Sequence, residues 1–586
     1  MGERSPALNY RKKNRFKAVK TTIQLAILVF IGIVLFQTLV NVEKYAEPDK
    51  SKWTNDKGFI ALSYFGVSRS GTPKLIAKAQ LNKQLKVLKE MGYVTISQQD
   101  ILDYYEKGKK LPDKALFLAF EDGRNDSELF AQPLLEKYNF KATFLSYANK
   151  MGNGDGKFLQ PGDMKKMMKN GYWELGSNGY RLTYINIFDS EGRFVGLKDE
   201  NELRNKMKID YYNHYLMDFL RDKDMIPSED RPQMEKRITD DYVLMEQIYT
   251  DKLGFVPNTY MIMHANALGS DMNRLVTDVN DANIRRVFKM HFNREGDALN
   301  GKEHDVYDLS RVQPAPYWYT NHLLMKIKED TGKEALFLTG EKKRAADWET
   351  ARGAAEFIGN RIALTSEPSG TGMLVLKKSD DYRDVKVIAD LAGNVVGRQT
   401  IYARYDRGKD SFVRISLDNN VLSVEQKKAG QPVEKLVVSI LDDIDWKETD
   451  LALNKATIYT QAQTSKIDLT EESQYPVNIA DTRKLDIVLQ GTKLHVAIDG
   501  GSFEIARDID ASIDSGAVAI ESAWNAQNKR DNIYDGVFDD LKISALKGNG
   551  KAGDVLYSNR LTGFQKLYNE AMRSFDATVD WMIETF

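Results

Sequence analysis

The 586-residue chain contains no cysteine, which excludes disulfides, thiolate metal sites and a cysteine nucleophile together. Proline is scarce, at 14 residues beside 40 glycines. With 42% hydrophobic and 28% charged residues, the composition is that of an ordinary globular protein, neither disordered nor collagen-like. Neither sign of charge is in excess: 83 Lys and Arg face 84 Asp and Glu, so the formal net charge is −1 and no global field marks a nucleic-acid binder. A phosphate-cradling glycine-rich loop, a Gly-x-Ser-x-Gly elbow and an EF-hand loop are also missing. The length exceeds what one hydrophobic core usually serves, so at least two domains are expected.

One apolar run stands out. Residues 21–40 carry no charge, and as a helix rising about 1.5 Å per residue they match the roughly 30 Å hydrocarbon core of a bilayer. Before them stand Arg4, Arg11, Lys12, Lys13, Arg15, Lys17 and Lys20 against Glu3 alone, which places that end in the cytoplasm by the positive-inside rule. Val40-Asn41-Val42-Glu43 offers no small-x-small cleavage site. The expectation is a cytoplasmic basic tail over 1–20, an uncleaved transmembrane helix over 21–41, a linker over 42–58, and the remainder outside the cell on a single-pass plasma-membrane protein. Without the tail the chain is mildly acidic, which gives it no electrostatic reason to lie on anionic lipid.

Residues 59–345 alternate short apolar runs with helical stretches. Phe59 to Tyr64, Ala115 to Phe120, Ala142 to Tyr147 and Tyr172 to Gly176 read as strands, with helices at 76–91, 129–138 and 161–170. This βαβ rhythm predicts a parallel sheet, open or closed into a barrel. A charge-rich insertion over about 188–237 interrupts it before a helix at 240–252. Residues 346–548 change character to frequent short strands separated by turns such as Asp418-Asn419-Asn420 and Asp499-Gly500-Gly501, the pattern of a β-sandwich. Phe564, Leu567, Tyr568, Met572, Phe575, Val579, Met582 and Phe586 recur at helical spacing, so 549–586 is read as a terminal amphipathic helix. The expected fold class is α/β plus all-β.

The apolar strand Leu116-Phe117-Leu118-Ala119-Phe120 ends in Glu121-Asp122-Gly123, two carboxylates and a turn-permitting glycine where α/β folds place active sites. Around it, Ser63-Tyr64-Phe65-Gly66-Val67, Leu85 through Met91-Gly92-Tyr93-Val94-Thr95-Ile96-Ser97, Leu111-Pro112, and Leu135-Glu136-Lys137-Tyr138-Asn139-Phe140-Lys141-Ala142-Thr143-Phe144 follow in order. This series, over about residues 59–311, resembles the polysaccharide deacetylase family. The resemblance implies a distorted (β/α) barrel that removes acetyl groups from extracellular glycans with a divalent metal, the base and one metal ligand standing at Glu121 and Asp122. The family's His-x-x-x-His pair has its counterpart in Trp173-Glu174-Leu175-Gly176-Ser177-Asn178-Gly179-Tyr180-Arg181-Leu182, where Asn178 and Leu182 replace the imidazoles. An amide is a poor zinc ligand and a leucyl side chain is none, so no catalytic zinc is expected. The family's Arg-x-Pro motif is also missing, Val256-Pro257-Asn258 being the nearest match.

Other candidates surround that pair. Thr259-Tyr260-Met261-Ile262-Met263-His264 brings His264 to a strand end, without a second histidine at ligand spacing, and Glu174 precedes the glycine of another strand. The catalytic candidates are therefore Glu121, Asp122, Glu174 and His264. Substrate contacts are expected from Asn178, Tyr180, Arg294, Glu295, Trp318, Tyr319 and His322, which supply amide, cation and aromatic surfaces suited to sugars. Near the end, Tyr534-Asp535-Gly536-Val537-Phe538-Asp539-Asp540-Leu541-Lys542-Ile543 is similar to the closing strand of a laminin-G or concanavalin-like jelly roll, and Asp539 and Asp540 are candidates for calcium. Two function classes follow. One is a glycan-active enzyme working by general acid/base chemistry without zinc, whether a diverged deacetylase, a hydrolase or a lyase. The other is a catalytically silent glycan-binding or polysaccharide-assembly accessory protein, with a polysaccharide synthesis or export complex as its expected partner.

Overall fold

The computed structural model describes residues 44–563 except 73, 204–207, 263–267, 270–271, 393–395, 419, 443–445, 448–474, 477–481, 529–530 and 549, together with scattered positions between 14 and 29. The apolar run 21–40 lies largely outside the described residues, and the terminal segment 564–586 lies outside them entirely. No helix among the described residues is long and apolar enough to cross a membrane.

Among the described residues the first domain is built on a nine-stranded sheet whose longer parallel strands are β1 (Phe59–Tyr64), β2 (Ala115–Phe120), β3 (Ala142–Tyr147), β4 (Trp173–Gly179), β5 (Thr259–Met261), β6 (Met290–Glu295) and β7 (Leu309–Arg311), with the two-residue strands Val94–Thr95, parallel to β2, and Leu299–Asn300, antiparallel to β1, completing it. The sheet closes on itself beyond β7. Ser63 N–H donates to Val312 C=O at 2.9 Å and Val312 N–H to Ala61 C=O at 3.0 Å, which joins the last strand to the first. Alternation then decides which side chains enter the barrel. Ile60, Leu62, Leu116, Leu118, Phe120, Phe144 and Leu175 face outward onto the helices. Ala61, Phe117, Ala119, Leu145, Met261, Phe292 and Leu309 form a second, interior core. Helix Gln98–Lys107 contributes Ile101, Leu102 and Tyr104 to that interior core, so one end of the barrel is plugged.

The charge-rich insertion is built around an antiparallel sheet of Thr183–Asp189, Phe194–Asp199 and Ile209–His214. Buried polar groups hold it: Asn186 donates to Asn213, Asp218 and the Phe219 carbonyl, while Arg221 forks onto Asp218 at 2.8 and 3.1 Å.

The second domain is a sandwich of a seven-stranded and an eight-stranded antiparallel sheet. Leu374, Ile401, Ile415, Val424 and Ile520 of one sheet meet Val387, Ile487, Val496, Phe538 and Ile543 of the other. One expectation needs correction here. Residues Ala552–Ser558, inside the stretch read as a terminal helix, form a strand because they find an open edge on Asp535–Leu546.

The joint between the domains is polar and buried. His322, on helix Thr320–Thr331, sits between two sandwich carboxylates, its Nε2 at 2.8 Å from Asp531 and its Nδ1 at 2.9 Å from Asp535. Its ring stacks on Trp318 at 4.2 Å, and the Tyr319 N–H donates to Asp535 at 3.0 Å. Burial alone lowers the imidazole's pKa, but Asp535 and Asp531 outweigh it and raise it from 6.5 to about 9. A raised folded-state value contributes stability that is complete below about pH 6.5 and is lost as pH rises through about 9. Denaturation measured from pH 6 to pH 10 is therefore expected to show a stability loss through about 9 that His322→Gln removes; parallel curves for the two proteins would contradict this role.

Candidate active site

The open end of the barrel gathers the inward rows of four strands. Phe117 and Ala119 lead to Glu121, Ala61 to Ser63, Leu309 to Arg311, and Gly176 to Asn178, each by the two-residue period. Their side chains converge on Glu121, which is fully buried. Arg311 donates to it through Nε at 3.0 Å and through a second nitrogen at 3.5 Å, Gln313 donates at 3.1 Å, Asn178 at 3.3 Å, and the Ser63 hydroxyl also donates. A carboxylate so enclosed and ion-paired has no free lone pair facing solvent. Glu121 thus forms the floor of the cleft, held by these four side chains.

Asp122 is placed differently. Its φ of 66° lies in the left-handed region, followed by Gly123 at φ 68°, so the chain turns abruptly out of β2. A Cβ at Gly123 would stand 3.1 Å from the Ser146 Cα, so glycine is needed both for its angle and for the close approach of β3. The Asp122 N–H donates to Asn178 Oδ1 at 3.0 Å, and Asn178 in turn donates to Met261 C=O at 2.9 Å. The Asp122 side chain is 15% exposed, with the Arg124 guanidinium 3.9 Å away. Burial pushes its carboxyl up from 3.8 to about 7, against the pull of Lys157 and Arg124 and with a further push from Glu200 of the insertion. That shift brings the carboxyl toward the range in which a group can exchange a proton near neutral pH.

The residues where the family pattern requires imidazoles do not fit zinc. Asn178 has its amide committed to Glu121, Asp122 and Met261, and the Leu182 side chain offers no donor. Among the described residues no group of three or more His, Cys, Asp or Glu side chains is arranged to hold a metal.

The remaining sequence candidates scatter. Glu174 shares the inward face of β4 with Asn178 but precedes it by four residues, roughly 13 Å along a strand, which puts it at the plugged end. There it accepts the Gln98 N–H at 2.8 Å at the start of helix Gln98–Lys107. Tyr180 stays near the cleft, half-buried under the Arg181 guanidinium at 5.1 Å. Arg294 lies exposed and forks onto Asp308 at 2.6–2.9 Å, and Glu295 beside it is exposed. Trp318, Tyr319 and His322 belong to the domain joint, because the first turn of helix Thr320–Thr331 and the residues just before it face the sandwich. His264 lies outside the described residues. In the sandwich, Asp539 pairs with Arg361 at 3.0 Å and Asp540 accepts from Asn360 at 2.9 Å. Arg311 and Gln313 were not among the candidates; the available signal was an arginine inside the apolar strand Leu309-Ser310-Arg311-Val312.

Residues 108–249 match the polysaccharide deacetylase family model. YxkH of Bacillus subtilis, which carries a polysaccharide deacetylase name, is 29% identical over 135 residues, 22% of this chain and 47% of that protein. A poly-β-1,6-N-acetyl-D-glucosamine N-deacetylase of Staphylococcus aureus is 25% identical over 122 residues, covering 20% of this chain and 42% of its own length. The chain thus spans less than half the length of these curated relatives. Among solved structures, IcaB from Ammonifex degensii superposes with a TM-score of 0.32 at 18% identity, over 45% of this chain and 95% of that one. Within the barrel, residues 108–249 thus carry the match to the polysaccharide deacetylase family.

Proposed function

We propose that the barrel hydrolyses the N-acetyl groups of an extracellular amino-sugar polysaccharide without a metal, using Asp122 as its proton carrier. The observation that carries this reading is the division of labour between the two carboxylates. Glu121 is locked by Arg311, whereas Asp122 reaches the cleft with its proton affinity raised to about 7. A base of that strength takes a proton from water at neutral pH. The water oxygen bonds to the acetyl carbon and the carbonyl electron pair moves to oxygen. The proton on Asp122 then passes to the amide nitrogen as the C–N bond breaks, releasing acetate and a free amine. Arg311, Gln313 and Asn178 fix the floor on which this occurs.

The names of the relatives support a β-1,6-linked N-acetylglucosamine polymer as substrate. An anchor at residues 21–41, with the barrel and sandwich outside the cell, completes the proposal and is supported by the uncharged run and its basic flank. Incubating the full chain with that polymer should produce free amines at constant chain length, and elemental analysis should find no stoichiometric zinc. Shortened chains would instead mean glycosidic cleavage. Binding without either product would mean a silent glycan-holding protein. One tightly held zinc per chain, lost in Asp122→Ala, would refute the metal-free mechanism.

A further inference from the structure

Amide hydrolysis leaves one requirement that Asp122 does not meet. As water adds to the acetyl carbon, negative charge collects on the former carbonyl oxygen, and stabilising that charge is commonly the largest catalytic contribution. With no zinc ligand set among the described residues, the metal-free reading requires the chain to supply a hydrogen-bond donor. Arg311, Gln313 and the Asn178 amide are committed to Glu121 and the Met261 carbonyl.

Tyr147 is in a different condition. It ends β3, continuing the inward row of Thr143 and Leu145 to the open end of the barrel. The residue before it, Ser146, is the one against which the Asp122-Gly123 turn rests. Tyr147 is 3% exposed, yet its hydroxyl has no hydrogen-bond partner among the described residues. That is an unfavourable arrangement for a purely structural tyrosine, since a buried hydroxyl normally finds a partner. The ring lines a cavity of about 30 Å³ shared with Asn178, Gly179, His214, Tyr260 and Ile262. A space of that size takes one water or one carbonyl group. Burial holds the phenol well above its ordinary value, with the charge of Asp122 acting in the same direction, so the hydroxyl keeps its proton as a donor.

We propose that the Tyr147 hydroxyl is the donor to the substrate carbonyl oxygen, and that the small cavity beside Asn178 receives that oxygen. The inference rests on the amide-hydrolysis reading of the site. No covalent change occurs at Tyr147, which only donates a hydrogen bond while the proton itself travels through Asp122.

Tyr147→Phe in the full chain separates this role from a structural one. Removing an unpartnered buried hydroxyl should leave thermal stability unchanged or raise it, while turnover on an N-acetylglucosamine oligomer falls roughly 10²–10³-fold. Turnover within about threefold of wild type, or a thermal midpoint lower by several degrees, would overturn the assignment, the latter because it reveals a structural partner. Acetate provides a readout independent of turnover. Titrated by NMR, it should bind the variant at least about tenfold more weakly than wild type, about the effect of one lost hydrogen bond to a charged group. Equal acetate affinities would overturn the proposal even in a protein that shows no turnover. An inactive wild type that nevertheless loses acetate affinity on substitution would count against the proposed reaction alone.

Discussion

Replacing Arg311 by methionine is expected to destabilise the barrel by about 3–5 kcal/mol, because it leaves Glu121 buried and uncompensated. Both side chains are essentially inaccessible, at 1% and 0% exposure, so water cannot take the place of the guanidinium. Gln313, Ser63 and Asn178 still donate to the carboxylate, but none carries a charge. Adding Glu121→Gln should recover most of the loss, since a neutral amide keeps acceptors for the Ser63 and Gln313 donors and needs no counter-charge. Chemical denaturation of the two single variants and the double variant checks this. A loss below about 1 kcal/mol for Arg311→Met would show that the pair does not hold the barrel closed.

The second large effect is expected at Asp122. Asparagine tolerates the left-handed backbone there and preserves the side-chain shape, so Asp122→Asn isolates proton transfer. Turnover should fall about 10²–10⁴-fold with little change in KM. Stability should move the other way. A carboxyl raised from 3.8 to about 7 contributes stability that is complete below about pH 4 and lost as pH rises through 7, so ionised Asp122 costs the folded state a few kcal/mol above that point. The variant is therefore expected to be more stable than wild type at pH 8 and similar to it at pH 4. Measured turnover close to wild type, or a variant that is less stable at pH 8, would remove Asp122 from the proposed role.

Much of the barrel was legible because its strands are buried on both sides. Ala115–Phe120 and Ala142–Tyr147 are uninterrupted six-residue runs bounded by turn residues, a pattern with no competing helical period. Glu121 and Asp122 were legible for the same reason, as carboxylates at the end of such a run. Glu174 shows what periodicity leaves open: it gives the face of β4 correctly but not the level along the barrel, and a strand beginning at Trp173 puts it at the wrong end. The partner of Glu121 is 190 residues away in sequence, and only closure of the sheet brings β7 beside β1. No local pattern encodes that meeting. The aromatic run at Tyr317-Trp318-Tyr319 looks like a sugar platform in isolation and serves the joint because the sandwich supplies Asp531 and Asp535 more than two hundred residues later. The insertion resisted reading because polar bonds around Asn186, Asp218 and Arg221 hold it together where an alternating apolar face would have been visible.

In the proposed reaction the barrel handles its proton on Asp122 and needs no metal to do so. Acetate release from a β-1,6-linked N-acetylglucosamine polymer, followed from pH 5 to pH 9 with the full chain kept in excess chelator, tests it most directly. Release is expected to persist under chelation and to rise with pH through an ionisation near 7, as a base must lose its proton to act. Release that vanishes with the chelator and returns with added zinc would contradict it.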